Sequence, residues 1–251
     1  MQARRLILTA DDFGRSPAVN AAIERWFRAG ALTQASLMVH EPAAAEAAAM
    51  ASALPGLQIG LHLTLCDGTS HDGTPLPCTP LRAGLRYAFR PSARRALERE
   101  IEAQFARFLA FGLPPTHWDG HAHLHLHPVV MALTLPIAKR HGFTFTRLVR
   151  EPRPRGVVPR IFQWLSTRAI PALRTAGIDF ADRVFGLRQS GRMDRAAVAE
   201  ALEHAREGVT EIYFHPGAET RITAEEVVST CTGAAASVSA VAGSADFQSA
   251  S

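Results

Sequence analysis

The sequence predicts an α/β fold, a β/α barrel of about seven parallel strands. Segments typical of strands and of helices alternate along the 251 residues, which predicts consecutive βαβ units and a parallel sheet. About seven such repeats favour a closed barrel over an open sheet. No GxGxxG or GxxxxGKS/T loop follows a strand, which argues against a nucleotide-binding sheet.

Three predicted strands fall in the first part of the chain. The apolar run at 6–9 predicts a buried strand. Ser16 and Pro17 then provide a cap and a first-turn proline for a helix over 17–29, which Gly30 ends. The remaining elements are a strand at 34–39, an alanine-rich helix at 43–54 and a strand at 57–65. Residues 66–89 are rich in Gly, Pro and Thr and predict a long loop or a small subdomain, an insertion over about 66–92.

The second part continues the alternation. The apolar spacing between 92 and 111 predicts a clear helix that Ser92 caps. Further elements are strands at 116–119, 143–148 and 210–215, helices at 128–141, 161–176 and 194–207, and an ambiguous segment at 178–185. We assign 1–228 to one barrel domain. Residues 229–251 are a low-complexity tail of Ala, Ser, Gly, Thr and Val, which predicts poor order.

The composition is that of an ordinary globular protein. The formal charge is +4, the pI about 9.5, and aromatic residues make up 7%. That balance and the lack of a fold signature argue against nucleic-acid binding. Three scattered cysteines predict neither a disulfide framework nor a zinc knuckle, and no apolar run approaches the ~18 residues of a membrane span. We therefore expect a cytoplasmic protein.

The segment Thr9–Gly14, with sequence TADDFG, places two carboxylates between a predicted strand and a helix. Adjacent residues of an extended chain point to opposite sides, so Asp11 and Asp12 can do different jobs. One can bind a metal while the other handles a proton. A cap and a solvated carboxylate would be the alternative, although Ser16 is a better cap.

Residues 117–127 hold five of the eleven histidines. If this segment is extended, His121, His123, His125 and His127 share one face, and Leu124 and Leu126 point into the core. Imidazole is the commonest ligand for zinc-like metals, so we expect one or two of these residues to bind a metal. The others would support ligands or form a basic patch.

Two further histidines end predicted strands at the same rim. His62 lies among apolar residues, where a buried structural role is the default. The additional presence of Asp12 and of the histidines at 121–127 favours a role as metal ligand. His215 follows the last strand and could be an acid, a ligand or a hydrogen-bonded strand end.

The motifs TADDFG, GLHLTL, THWDGHAHLH and FHPG, in this order, resemble those of the YdjC-like carbohydrate deacetylases. That family includes chitooligosaccharide deacetylases and hopanoid-biosynthesis enzymes. The resemblance covers about 5–217, and the stretches 85–89, 97–108 and 182–187 are more similar to the hopanoid-associated branch.

The resemblance implies a distorted TIM-like barrel with one divalent metal, Mg²⁺ or Zn²⁺, at the strand carboxyl ends. Its ligands would be Asp12, His62 and His121, with Asp11 as the general base and His215 as a plausible acid. The implied activity is removal of acetyl from an N-acetylated amino sugar, either a soluble chitooligosaccharide or an N-acetylglucosaminyl hopanoid lipid. A homodimer is also implied. Relatives continue with a structured C-terminal portion, from which this tail departs.

A lipid-linked substrate would need an apolar approach at the inner face of the membrane. A lip for peripheral membrane contact could be formed by Tyr87, Phe89, Arg86, Arg90, Arg94 and Arg95. A solvated arginine face explains these residues equally well. Two other functions stay open, a two-metal phosphoesterase and a non-catalytic metal- or sugar-binding module.

Overall fold

Eight parallel strands form a single sheet in the computed structural model, which describes residues 5–152, 154–205, 207–218 and 221–234, apart from the side chains of residues 91, 92 and 234. The strand order is β6-β5-β4-β3-β2-β1-β8-β7, and every neighbouring pair is parallel. The strands are β1 Arg5–Phe13, β2 Gln34–Leu37, β3 Gln58–Leu63, β4 His117–Gly120, β5 Phe145–Thr146, β6 Asp179–Phe180, β7 Arg183–Phe185 and β8 Val209–Phe214.

The sheet curls round until its two edges nearly meet. β6 and β7 stand at opposite ends of the strand order, yet only residues 181 and 182 separate them. Consecutive Cα atoms are about 3.8 Å apart, so the Cα atoms of Phe180 and Arg183 can be no more than about 11 Å apart. The N–H of Val184 also donates to the carbonyl of Arg150, in the segment that follows β5. The result is a distorted barrel with a seam between β6 and β7, which confirms the predicted fold class.

Helices surround the sheet, and their ends follow local sequence signals. Ser16 Oγ accepts the N–H of Val19 at the start of the first helix, and Asp194 Oδ1 accepts the N–H of Ala197 at a later one. The helices are α1 Pro17–Arg28, α2 Ala44–Ser52, α3 Pro80–Phe89, α4 Pro91–Ala110, α5 Pro128–Arg140, α6 Val157–Ala176, α7 Arg195–His204 and α8 Ala224–Ala234, with a 3₁₀ helix at His121–Leu126.

An apolar core packs between the sheet and the helices, while the centre of the barrel is polar. Phe105 and Phe143, for example, meet edge to face with their ring centroids 4.9 Å apart. At the centre, Asp11, Arg147 and Glu211 are each almost completely buried. Buried charge of this kind is rare unless it is paired, so this centre is where a functional site is expected.

Several predicted elements differ from the structure. The predicted loop at 66–89 contains α3, because Thr79 Oγ1 caps it and Pro80 fits its first turn. The predicted strand at 143–148 is paired only at Phe145–Thr146, and the ambiguous segment at 178–185 supplies β6 and β7, which raises the strand count to eight. The predicted disordered tail is helical over 229–234 as part of α8, and 235–251 lie outside the described residues.

The described helices include none that combines the length and the apolar character needed to cross a bilayer.

Candidate metal centre

The two aspartates lie in a bulge near the carboxyl end of β1. Ala10 pairs with Ala35 and Phe13 pairs with Leu37, so three steps of β1 face two steps of β2. The extra residue of β1 is accommodated at Asp12, whose φ is 65°. Aspartate adopts this left-handed conformation more readily than most residues. Such a bulge re-aims a side chain, and Asp12 here turns toward β3 and β4.

Asp12 meets one histidine from each of two other segments. Its Oδ1 lies 3.4 Å from His62 Nε2, on β3, and 3.0 Å from His121 Nδ1, at the start of the 3₁₀ helix. One ligand atom from each of the three residues lies within 4.8 Å of the others. His62 is buried, whereas Asp12 and His121 are about 15% exposed, so the group opens to solvent on one side. The structure thus brings together the three predicted ligands.

A buried carboxylate holds His62 in the orientation that a metal ligand needs. His62 Nδ1–H donates to Asp119 Oδ1 over 2.6 Å, which leaves Nε2 toward Asp12. Ser36 Oγ donates to the other oxygen of Asp119 over 2.8 Å. Histidines that bind metals commonly donate their second ring N–H to a carboxylate in this way. Asp119 is the last residue of the strand predicted at 116–119, but nothing in the sequence indicated that it would be the partner of His62.

The charges around the site match a cation. Burial disfavours the charged form of Asp12. Hydrogen bonds from His121 and His62 nevertheless lower the pKa of Asp12 well below its usual range. Burial likewise opposes protonation of His62, yet the Asp119 and Asp11 carboxylates raise its pKa to about 10. A cation that binds Nε2 therefore takes the place of a proton. One carboxylate and two imidazoles form a donor set that suits a divalent transition metal.

Asp11 belongs to a second, fully buried group. Arg147 donates from Nη1 to Asp11 Oδ2 over 2.7 Å and from Nη2 to Asp11 Oδ1 over 2.8 Å. The same guanidinium reaches Asp119 Oδ2 and Glu211 Oε1, each over 2.8 Å. Although burial works against the charge, these carboxylates raise the pKa of Arg147 well above its usual value. Arg147 is thus a site residue that the sequence analysis missed, since no motif marked it.

The two groups adjoin each other. Ligand atoms of Asp11, His62 and Asp119 also lie within 4.8 Å of one another, so the Asp11 carboxylate is a near neighbour of the His62 ring. His215 Nε2 lies 4.0 Å from Asp11 Oδ2, and its side chain is 19% exposed. His215 therefore stands at the rim beside Asp11, where the sequence placed it.

A family model described as YdjC-like protein matches residues 5–244. The chain belongs to the YdjC-like family. Its relatives include a carbohydrate deacetylase from Geobacillus stearothermophilus, 40% identical over 158 residues, 60% of this chain and 62% of the relative. A chitooligosaccharide deacetylase from Serratia marcescens is 34% identical over 60% of this chain and 61% of the relative. A mouse carbohydrate deacetylase is 33% identical over 85% and 78%. The chain thus spans about three fifths of the length of the two bacterial relatives.

Solved structures share the fold of this YdjC-like chain. A crystal structure from Enterococcus faecalis V583, named for cellobiose-phosphate cleavage, aligns with a TM-score of 0.66 at 19% identity, covering 94% of each chain. A lactam utilization protein from Thermus thermophilus aligns with a TM-score of 0.52 at 18% identity, covering 97% of this chain and all of that one. At such identities the likeness concerns architecture alone.

The expected common face of four histidines is wrong for this YdjC-like protein. Ala122 and His123 have φ of 50° and 57°, so the segment coils into the 3₁₀ helix instead of extending. His125 Nε2–H donates to the Arg147 carbonyl over 2.8 Å, and His123 Nε2 lies 3.0 Å from the Tyr213 hydroxyl. Of this segment, only His121 joins Asp12 and His62 in the metal-competent group, the three residues that could hold one ion. His123 and His125 are buried structural residues.

We predict that buried neutral histidines make the fold sensitive to acid. Burial lowers the pKa of His117 and of His125 to about 4 from the ordinary 6.5. Between those values the unfolded chain binds protons that the folded chain does not, so stability falls as the pH falls through this window. Each residue should contribute up to about 3 kcal/mol to the loss, which is complete near pH 4.

Urea unfolding at several pH values between 7 and 4 measures this effect. His125→Gln should flatten the dependence of the unfolding free energy on pH relative to the parent chain. His204→Gln, at a partly exposed position on α7, is the control and should leave that dependence unchanged. An unaltered slope in His125→Gln would contradict the prediction.

Proposed function

We propose that this chain is a metal-dependent deacetylase that removes the acetyl group from an N-acetylated amino sugar. The observation that carries the proposal is the convergence of Asp12, His62 and His121 beside the Asp11 carboxylate. Relatives named carbohydrate and chitooligosaccharide deacetylases support it. Asp12, His62 and His121 would hold one divalent cation, which when bound polarises the acetyl carbonyl and lowers the pKa of a water.

Two side chains, Asp11 and His215, would carry out the proton transfers of the reaction. Asp11 would accept a proton from the attacking water as its oxygen forms a bond to the acetyl carbon. The C–N bond then breaks, and His215 would deliver a proton to the leaving amine, because an unprotonated amine leaves poorly. Acetate and the amino sugar are the products. Arg147 would fix Asp11 in one orientation through its bidentate contact.

The rival phosphoesterase function needs a second metal, and the structure disfavours one. In the second group of potential ligands, Asp11, His62 and Asp119, both carboxylates already pair with the Arg147 guanidinium. A further cation there would be repelled by that buried positive charge, which stays protonated. His62 also has its Nδ1–H committed to Asp119. These contacts favour one metal per chain.

Finer features of the proposal rest on the sequence resemblance and on the donor set. Two imidazoles and a carboxylate suit zinc better than magnesium, which prefers oxygen ligands. Magnesium stays a candidate because the family resemblance of the motifs implies it. An N-acetylglucosaminyl hopanoid is our proposed substrate, with a soluble chitooligosaccharide as the alternative, and a homodimer is our proposed assembly. Tyr87 does not belong to the predicted membrane-facing lip. Its side chain is buried, and its hydroxyl donates to the Leu65 carbonyl over 2.9 Å.

Metal removal tests the proposal directly. After chelation, acetate release from N-acetylglucosamine oligomers should fall to background, and one equivalent of Zn²⁺ or Mg²⁺ per chain should restore it. His62→Asn should prevent restoration, because it removes a ligand. His127→Asn, outside the metal-competent group, is the matched control and should respond like the parent.

The outcomes separate the candidate functions. Two metals per chain with phosphate release from a phosphate ester would support the phosphoesterase. Tight metal binding without acetate release from soluble or lipid-linked substrates would support a non-catalytic module.

A further inference from the structure

Two helices expose large apolar side chains to solvent. Leu81 and Phe89 on α3 are 73% and 76% exposed, and Val157 and Trp164 on α6 are 72% and 56% exposed. The exposed large apolar residues of the described chain all lie on these two helices: Leu81, Leu85 and Phe89 on α3, and Val157, Val158, Ile161 and Trp164 on α6. Single exposed apolar residues are common, but clustering on two helices indicates an interaction surface.

Each set follows the helical repeat and therefore forms a stripe. On α3 the exposed apolar residues recur every four positions, while Ala83 and Tyr87 point into the core. On α6 they occupy its first two turns, while Ala169 and Leu173 are buried further along. The stripes are thus additional to the faces by which the helices pack on the protein.

Both helices flank the candidate metal centre. α3 and α6 each contact the 3₁₀ helix that carries His121, and each also contacts α5. On α6, Phe162 packs edge to face on His123, with ring centroids 5.3 Å apart. The apolar stripes therefore lie on two helices that both contact the segment that supplies a predicted ligand.

Positive charge accompanies both stripes. The stretches 73–97 and 152–178 hold 10 of the 27 lysines and arginines and none of the 23 acidic residues, so the remainder of the chain is net negative. Arg82, Arg86 and Arg90 each follow a stripe residue on α3 and are exposed. On α6, Arg168 lies over the Trp164 ring, its Cζ 4.9 Å from the centroid.

We propose that the α3–α6 surface, defined by these two stripes and their arginines, docks on an anionic lipid bilayer. Apolar side chains would enter the interface while arginines meet the headgroups, as in other interfacial helices. A second copy of the chain would bring a second set of the same arginines to an isologous contact without any acidic partner from these stretches. The segment 235–251 carries only Asp246 as a charge and cannot neutralise ten arginines. The docking needs neither the metal nor the proposed reaction.

Vesicle binding tests this proposal with an internal reporter. Trp164 is exposed, whereas Trp26 and Trp118, the other two tryptophans, are buried. Adding phosphatidylglycerol-containing vesicles should shift the tryptophan emission to the blue and carry the chain into the vesicle pellet. Phosphatidylcholine vesicles should bind far less, and rising salt should release the protein, because screening weakens the charge attraction.

Two pairs of variants separate the apolar and the charged contributions. Leu85→Ser with Phe89→Ser should weaken vesicle affinity about tenfold or more, because two large side chains no longer enter the interface. Arg86→Glu with Arg90→Glu should weaken it by a similar factor at low salt. Arg25→Glu with Arg28→Glu, at exposed positions on α1, makes the same charge change and should have little effect. Acetate release from soluble oligomers should stay unchanged in all of them.

The proposal is overturned if anionic vesicles fail to bind at low salt, or if the α1 control weakens binding as much as the α3 variants. It is also overturned if the blue shift depends on protein concentration without lipid, because the surface would then join two copies. Vesicle binding with no deacetylation would refute the proposed function and leave this surface standing.

Discussion

Replacing Arg147 with methionine is expected to destabilise the fold by about 3–5 kcal/mol, as other broken buried ion pairs do. Methionine keeps much of the volume but leaves the carboxylates of Asp11, Asp119 and Glu211 without their shared cation. All three are almost fully buried, so water cannot replace the lost charge. Urea unfolding of the metal-free chain at pH 7 measures the change.

A matched pair of variants shows whether charge causes the loss. Adding Glu211→Gln to Arg147→Met removes one uncompensated carboxylate and should recover part of the lost stability. Arg28→Met, which breaks an exposed pair with Glu24 on α1, should cost less than about 1 kcal/mol. If Arg147→Met costs no more than this surface control, the polar centre does not depend on the guanidinium.

Asp11→Asn is expected to reduce acetate release by about 10²–10⁴-fold, the usual contribution of a positioned base. Asparagine has nearly the same shape and can still accept one hydrogen bond from Arg147, but it cannot take a proton from water. The three proposed ligands are untouched, so the metal should stay bound. Activity assays and metal analysis of the same preparation measure both effects.

Asp12→Asn provides the comparison and should lose the metal as well as the activity. The unfolding free energy of both variants must be measured, because Asp11→Asn also removes one charge from the buried network. Should Asp11→Asn instead lose the metal and retain turnover, the roles of the two aspartates are reversed.

The predicted ligand set could be obtained from sequence because parallel strands deliver their carboxyl ends to one edge. Asp12, His62 and His121 each end or follow a strand, and β1, β3 and β4 lie close together in the sheet. Chain alternation alone therefore limited where these side chains could meet. The motif resemblance then selected three residues from a longer set of candidates.

Arg147 could not be predicted in the same way. Its partners lie 136, 28 and 64 residues away, and which buried charge compensates which is decided by packing rather than by local pattern. The extended form assumed for 121–127 failed for another reason. Alternating His and Leu satisfies a strand pattern, but the left-handed residues Ala122 and His123 turn the chain. The residue types at 122 and 123 do not by themselves indicate left-handed backbone conformations.

Asp119 lies between the candidate metal centre and the buried group around Arg147. One of its oxygens faces His62, and the other faces both Arg147 and Ser36. A cation held by Asp12, His62 and His121 would therefore lie one hydrogen bond away from the carboxylate that also pairs with Arg147. The proposed ligand His62 and the proposed base Asp11 are therefore connected through Asp119 and Arg147. An engineer who alters the metal preference of this scaffold should expect the pairing of Arg147 with Asp11 to respond as well.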